Sequence, residues 1–284
     1  MKKVWVCFTC FNRREMSLRC MRTLHDSDIS LKFFVVDDGS TDGTPEAIKE
    51  YVQKEKISYK LIHGDGNLFW AGGMRVGMKE MLKELRDKKE EVPEYIALVN
   101  DDVEFVPGAL SRMIERSLKK GGMPVTGATS GKTADGIIST SYGGVRYDRR
   151  HVRPEPVRLE DANVRSCDTM NCNCLLLPTE AFMKAGAFDP HYKHSMADYD
   201  YGFELRRLGY EIWLTDFYVG SCDDNPVRGS WRDTALSRIE RLKKKESPKG
   251  LPLKTWFYFV RKNFGLRQAI WHSITPYLRI ILGK

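Results

Sequence analysis

Apolar residues in this chain gather in short unbroken runs, with stretches of helical period between them. Runs at 4–10, 33–37, 59–63 and 95–99 have strand length and little alternation, as expected of strands buried on both faces of a parallel sheet. Helical patterns separate them. One covers 15–26, another starts near Thr44 with Pro45 in its first turn and runs to about Lys54, and a third follows the loop 64–73 to about Lys88. Pro107 opens a further helix to about Lys120. Strands and helices in this order predict an α/β fold: a mostly parallel sheet with right-handed crossovers and helices on its faces.

After Gly121 the rhythm breaks into short Gly-, Ser- and Thr-rich pieces up to about Ser166. A strand resumes at 170–177. Helices follow at 179–185 and 198–208, the second stopped by Gly209, and a last strand lies at 211–215. Residues 1–224 read as one domain and 225–284 as a basic, helical C-terminal extension.

Charge follows that boundary. The chain of 284 residues carries a formal +8. Residues 228–284 hold 14 Lys or Arg against 3 Asp or Glu, a net +11, which leaves −3 on the body. An acidic body without a recognition motif argues against nucleic acid as a partner. In the extension, basic residues sit beside Trp256, Phe257, Tyr258 and Trp271, but Arg261, Lys262, Pro276 and Arg279 interrupt every apolar run. A transmembrane helix needs about 20 apolar residues, so the expectation is a helix lying on an anionic membrane surface. Packing on the core or a homodimer interface is the alternative. Seven cysteines, an odd number, with no hydrophobic leader after Met1, suggest buried thiols in a reducing, cytoplasmic setting.

Two strands end in paired carboxylates, Val36-Asp37-Asp38-Gly39 and Val99-Asn100-Asp101-Asp102. Open α/β sheets bind ligands beyond the carboxyl ends of their strands. Two acidic ends therefore suggest one mouth for a polar ligand and an oxygen-loving cation such as Mg²⁺ or Mn²⁺. Each is also simply a tight acidic turn. Phe69 and Trp70, beside Gly72 and Gly73, suggest an aromatic wall and amides free for phosphate. Asp198 and Asp200 open a helix; both could be N-terminal complements to its dipole, or Asp198 a general base.

Taken in order, Thr9-Cys10-Phe11-Asn12-Arg13, residues 35–44, 66–77 and 98–103, Gly186-Ala187-Phe188-Asp189 and residues 198–209 resemble the family 2 glycosyltransferases. These are inverting enzymes of the GT-A fold. Phe69-Trp70 and the extension are similar to the rhamnosyltransferase-like members that build bacterial surface polysaccharides. The resemblance implies a metal-dependent transfer of sugar from a UDP- or dTDP-sugar to a hydroxyl, on a saccharide linked to a polyprenyl diphosphate, at the inner face of the cell membrane. It places Thr9, Phe11, Asp37 and Asp38 at the nucleotide and Asn67, Trp70, Gly73, Asn100 and Asp101 at the substrate. Asp102 becomes the metal ligand and Asp198 the catalytic base. Three departures stand out: Ala197 where many members have Glu, Met74-Arg75 after the paired glycines, and Ser221-Cys222-Asp223-Asp224 where some have a metal-binding His. A sugar-1-phosphate nucleotidylyltransferase or an inactive sugar-nucleotide binder are the competing readings.

Overall fold

A computed structural model describes residues 1–25, 28–87, 91–132, 136–161, 166–223 and 227–283. The expected helix ends at Asp26 and Lys88, and the domain boundary with Asp224, lie outside the described residues. The first half alternates as anticipated: β1 (Lys2–Cys10), α1 (Arg14–Thr23), β2 (Ile29–Asp37), α2 (Thr44–Lys54), β3 (Ser58–His63), α3 (Phe69–Asp87), β4 (Tyr95–Val99), β5 (Glu104–Phe105) and α4 (Ala109–Lys119). A meander follows: β6 (Val125–Lys132), β7 (Ile138–Tyr142), β8 (Gly144–Asp148), β9 (Arg153–Val157), β10 (Ser166–Cys167) and β11 (Thr169–Met170). The chain continues through β12 (Cys174–Pro178), α5 (Thr179–Ala185), α6 (Ala197–Arg207) and β13 (Ile212–Ser221), then α7 (Arg238–Glu246), α8 (Leu253–Phe264) and α9 (Leu266–Ile281).

Strands β3, β2, β1 and β4 lie side by side and parallel. Next to β4 the sheet turns mixed, because β12 runs antiparallel to both β4 and β6. It ends with β13, parallel to β6, and the short β10. Among the described residues the main sheet holds ten strands, and β11, β8 and β9 form a second small sheet.

The unbroken apolar runs have the expected cause. In β1, Val4, Val6, Phe8 and Cys10 face one core layer, while Trp5 and Cys7 face the other. Strand β4 divides likewise, with Ile96 and Leu98 on one side and Tyr95, Ala97 and Val99 on the other. One layer is roofed by α1, α2 and α4; α3, α5, α6 and α8 cover the opposite face. All seven cysteines are buried thiols.

The C-terminal extension joins the second layer. Trp256, Phe259 and Val260 of α8 share a core with Tyr201, Phe203 and Leu205 of α6. Polar ties lock the seam: Lys262 Nζ lies 2.6 Å and Asn263 Nδ2 2.9 Å from the Asp200 carboxylate. Tyr258 donates to Asp189 at 2.7 Å. Asp189 of the Gly-Ala-Phe-Asp motif therefore serves as an anchor, and this ring of donors holds its carboxyl below the usual range against the opposing effect of burial.

Candidate active site

Beyond Val99 the chain leaves β4 in a turn that spreads three polar side chains. The Asn100 amide donates to Asn173 O at 3.1 Å, and its Oδ1 accepts from Trp70 Nε1 at 2.8 Å. Asp101 turns inward, accepting from Ser17 Oγ at 3.1 Å and from Arg13 Nη1 at 3.0 Å. The same Arg13 nitrogen donates to Asp102 Oδ2 at 3.0 Å, so one guanidinium holds both carboxylates. Burial raises the Asp101 carboxyl to about 6 in spite of Arg13, with the Asp102 charge adding to the rise. Asp102 remains 26% exposed, with Cys222 Sγ 3.6 Å from its other oxygen.

The opposite wall comes from the start of α6. Met196 caps that helix in a left-handed conformation (φ 70°), an uncommon state for a side chain with a Cβ. The turn sets Asp198 in the first helical turn, half-buried, with Oδ1 accepting from the Tyr199 amide at 2.9 Å. Burial raises its carboxyl to about 6, although the amides of Tyr199 and Cys172 and the Asn171 side chain pull the other way. A carboxylate that holds its proton more tightly is a stronger base near neutral pH. Both walls open on one cleft of about 620 Å³.

Of the residues singled out in the sequence, Thr9, Phe11, Asp38, Trp70, Asn100, Asp101, Asp102 and Asp198 line this cleft. Asp37, Asn67 and Gly73 do not. Asp37 is 1% exposed and lies behind the wall, accepting from the Ser40 amide at 3.0 Å. Asn67 is exposed on its loop and hydrogen-bonded to Asp65. Gly73 lies inside α3, which begins at Phe69 rather than after the paired glycines. A Cβ on Gly73 would fall 2.2 Å from Thr9 Oγ1, so the glycine lets α3 close on β1. Of the amides expected to meet phosphate, that of Gly72 donates to Lys193 O at 3.3 Å and that of Gly73 lies inside α3; the preceding amides of Ala71 and Phe69 donate to Lys193 O at 3.1 Å and to Asp38.

Residues 5–153 match the family described as Glycosyl transferase family 2. The chain belongs to that family. Over 207 residues it is 26% identical to an N-acetylglucosaminyl-diphospho-decaprenol L-rhamnosyltransferase of Mycobacterium tuberculosis, a match covering 66% of this chain and 64% of the relative. The chain thus spans somewhat under two thirds of that relative's length. Its fold is shared with a mannosyltransferase of Pyrobaculum calidifontis in complex with GDP-Man and Mn²⁺, with a TM-score of 0.60 at 14% identity over 99% of this chain and 73% of that one. It is shared also with S. aureus TarS in complex with UDP-GlcNAc, with a TM-score of 0.56 at 15% identity over 99% and 82%. The architecture is therefore the GT-A fold of glycosyltransferases.

This family 2 member brings further groups into its cleft that the sequence did not single out. Arg13 appeared only within a motif, yet it bridges Asp101 and Asp102. His194 and Lys249 also line the cleft. Burial lowers the His194 imidazole to about 4, with Lys249 and Arg13 adding to the effect, so it is neutral at pH 7. Its Nδ1 is buried without a hydrogen-bond partner among the described residues. Lys249 comes from the α7–α8 loop, where Ser195 Oγ donates to Gly250 O at 2.6 Å. Only the crowding of basic residues in the extension hinted at such a contribution.

The three departures of this family 2 chain sort differently. Ala197 and Met74 are buried, and Arg75 donates to Tyr192 O at 3.0 Å away from the cleft. Cys222 and Asp223 do line the cleft. Burial beside Asp102 pushes the Cys222 thiol up to about 12, so it stays protonated. Among the described residues no three His, Cys, Asp or Glu side chains are arranged to hold a metal ion. The partly exposed Asp102 nevertheless fits a Mg²⁺-type site, where one or two carboxylates bind together with substrate phosphates.

Proposed function

We propose that this chain is an inverting glycosyltransferase that moves a sugar from a UDP- or dTDP-sugar to a hydroxyl of a saccharide carried on a polyprenyl diphosphate. Rhamnosyl transfer in surface-polysaccharide synthesis is the version favoured by the mycobacterial relative. The supporting observation is a single cleft with Asp102 and its neighbours on one wall and the Asp198 carboxyl, raised to about 6, on the other.

In this reading the nucleotide lies along Thr9 and Phe11, over the carboxyl ends of β1 and β4. Asp198 accepts the proton of the acceptor hydroxyl as that oxygen attacks the anomeric carbon from the face opposite the leaving group. A single displacement of this kind inverts the anomeric centre. Asp102 would hold Mg²⁺ or Mn²⁺, and a cation there would supply positive charge against the charge developing on the departing nucleoside diphosphate. Arg13 and Lys249 supply further positive charge to the cleft, while Trp70, braced by Asn100 and packed at a tilt on Phe188 with ring centroids 5.5 Å apart, walls the sugar. A lipid-borne acceptor sets the reaction at the inner face of the cell membrane.

Asp198→Asn tests the base directly. It is expected to lower turnover by about a hundredfold or more while donor affinity stays nearly unchanged. Near-normal turnover would remove Asp198 from the role. Release of nucleoside diphosphate, rather than pyrophosphate, separates this activity from nucleotidyl transfer.

A further inference from the structure

Helix α9 carries apolar residues on two sides, one packed against the protein and one exposed. Ala269, Ser273, Pro276 and Ile280 form the buried side. Leu266, Ile270, Ile274 and Leu278, four apart, run down the other side with Trp271 and Ile281 beside them, each 48–66% exposed. A contiguous apolar stripe of this kind on a protein surface marks an interaction face. Its setting is one-sided in charge. From Ser247 to the C-terminus the sequence has seven Lys or Arg and no Asp or Glu. Lys254 and Arg261 on α8, and Arg267 and Arg279 on α9, are all exposed.

We propose that α9 docks the protein on an anionic lipid leaflet, lying in the interface with this stripe among the acyl chains and the arginines and lysines at the headgroups. The 16 residues of α9 make about 24 Å of helix, less than the ~30 Å hydrocarbon thickness. Among the described residues no helix is long and apolar enough to cross a membrane. A helix with an apolar face and basic flanks gains from both buried area and attraction to anionic lipid. An acidic protein surface would answer the charges but not a stripe this long, and a second copy of the chain would bring a second set of positive charges against the first. Trp256 Nε1 donates to His272 O at 2.9 Å and Tyr277 OH to Glu246 at 2.6 Å, so α9 is fixed to α8 and α7. The loop between those two helices carries Lys249 into the cleft. Docking α9 therefore fixes the orientation of the active site above the leaflet.

Its purpose rests on the lipid-linked acceptor proposed above, but vesicle binding is read without donor or acceptor, so either can fail alone. The test is flotation of the full-length protein with vesicles of phosphatidylcholine alone and of phosphatidylcholine mixed with phosphatidylglycerol. Binding is expected to the mixed vesicles, to fall with added salt, and to weaken about tenfold or more in Ile270→Glu/Ile274→Glu. Trp271→Glu, at the most exposed of the six positions, is a second variant and should weaken binding in the same direction. Both variants should keep the parent melting temperature. No binding to mixed vesicles, or binding unchanged in folded variants, would overturn the proposal. A dimer in light scattering that the variants dissociate, with vesicle binding intact, would overturn it in favour of self-association.

Discussion

Strands β2 and β4 end in nearly the same way in sequence, an apolar run followed by paired carboxylates, yet the two ends do different work. Asp38 spends its carboxylate on the backbone: its oxygens accept the amides of Gly66 at 3.0 Å, Leu68 at 3.3 Å and Phe69 at 3.1 Å. It thereby folds the loop before α3 back over β2 and caps that helix. Asp37 accepts the Ser40 amide just below. At the end of β4 the partners are side chains. One arginine holds Asp101 and Asp102 together, and Asp102 keeps part of its surface on the cleft. Backbone amides cannot leave when a ligand arrives, whereas a guanidinium can swing from a carboxylate to a phosphate. An acidic strand end is thus available for ligand chemistry only where mobile groups satisfy it.

The sharpest break of this contrast is Asp102→Ala. It should lower kcat/KM by about a hundredfold or more and weaken metal-dependent donor binding in calorimetry, while the melting temperature hardly moves. An unchanged metal requirement would place the cation elsewhere. Asp38→Ala should do the reverse. Three amides lose a charged acceptor, so chemical denaturation should show a loss of about 3 kcal/mol. Full stability with abolished donor binding would make the two strand ends alike after all.

The smallest effect sets the wall opposite β4 against both ends. Folding raises the Asp198 carboxyl from its usual range to about 6, so the native chain holds a proton that the unfolded chain has released. That stabilisation is complete below the ordinary carboxylate range and vanishes as pH climbs through about 6. Unfolding free energy should therefore fall over this window, by at most about 1.4 kcal/mol per pH unit from this group. Asp198→Asn should make the decline shallower in urea titrations at a series of pH values. Equal slopes would mean that Asp198 is not held protonated by burial.

Much of this is legible in the sequence. The parallel β3-β2-β1-β4 half follows from runs such as Phe33-Phe34-Val35-Val36, whose residues all find cover on one face or the other. Asp102 and Asp198 could be paired only by family resemblance, since 96 positions of sequence carry no distance. The antiparallel entry of β12 left no mark in its composition, because a strand buried on both faces looks the same in either direction. Phe69 and Trp70 misled for a local reason. Ahead of two glycines they read as loop, but Gly73 serves the approach of α3 to β1 and the helix starts before both glycines. Arg13 and Lys249 escaped because a cation in a polar segment looks solvated until the fold shows what it faces.

The contact between Ser195 and Gly250 has a practical side. A protein shortened at residue 247 would not be a trimmed catalytic core, for it would lose Lys249 from one wall and uncover Tyr147 and Phe203, against whose rings Phe259 now packs. Exchanging this C-terminal piece between relatives would, for the same reason, exchange part of the cleft wall as well.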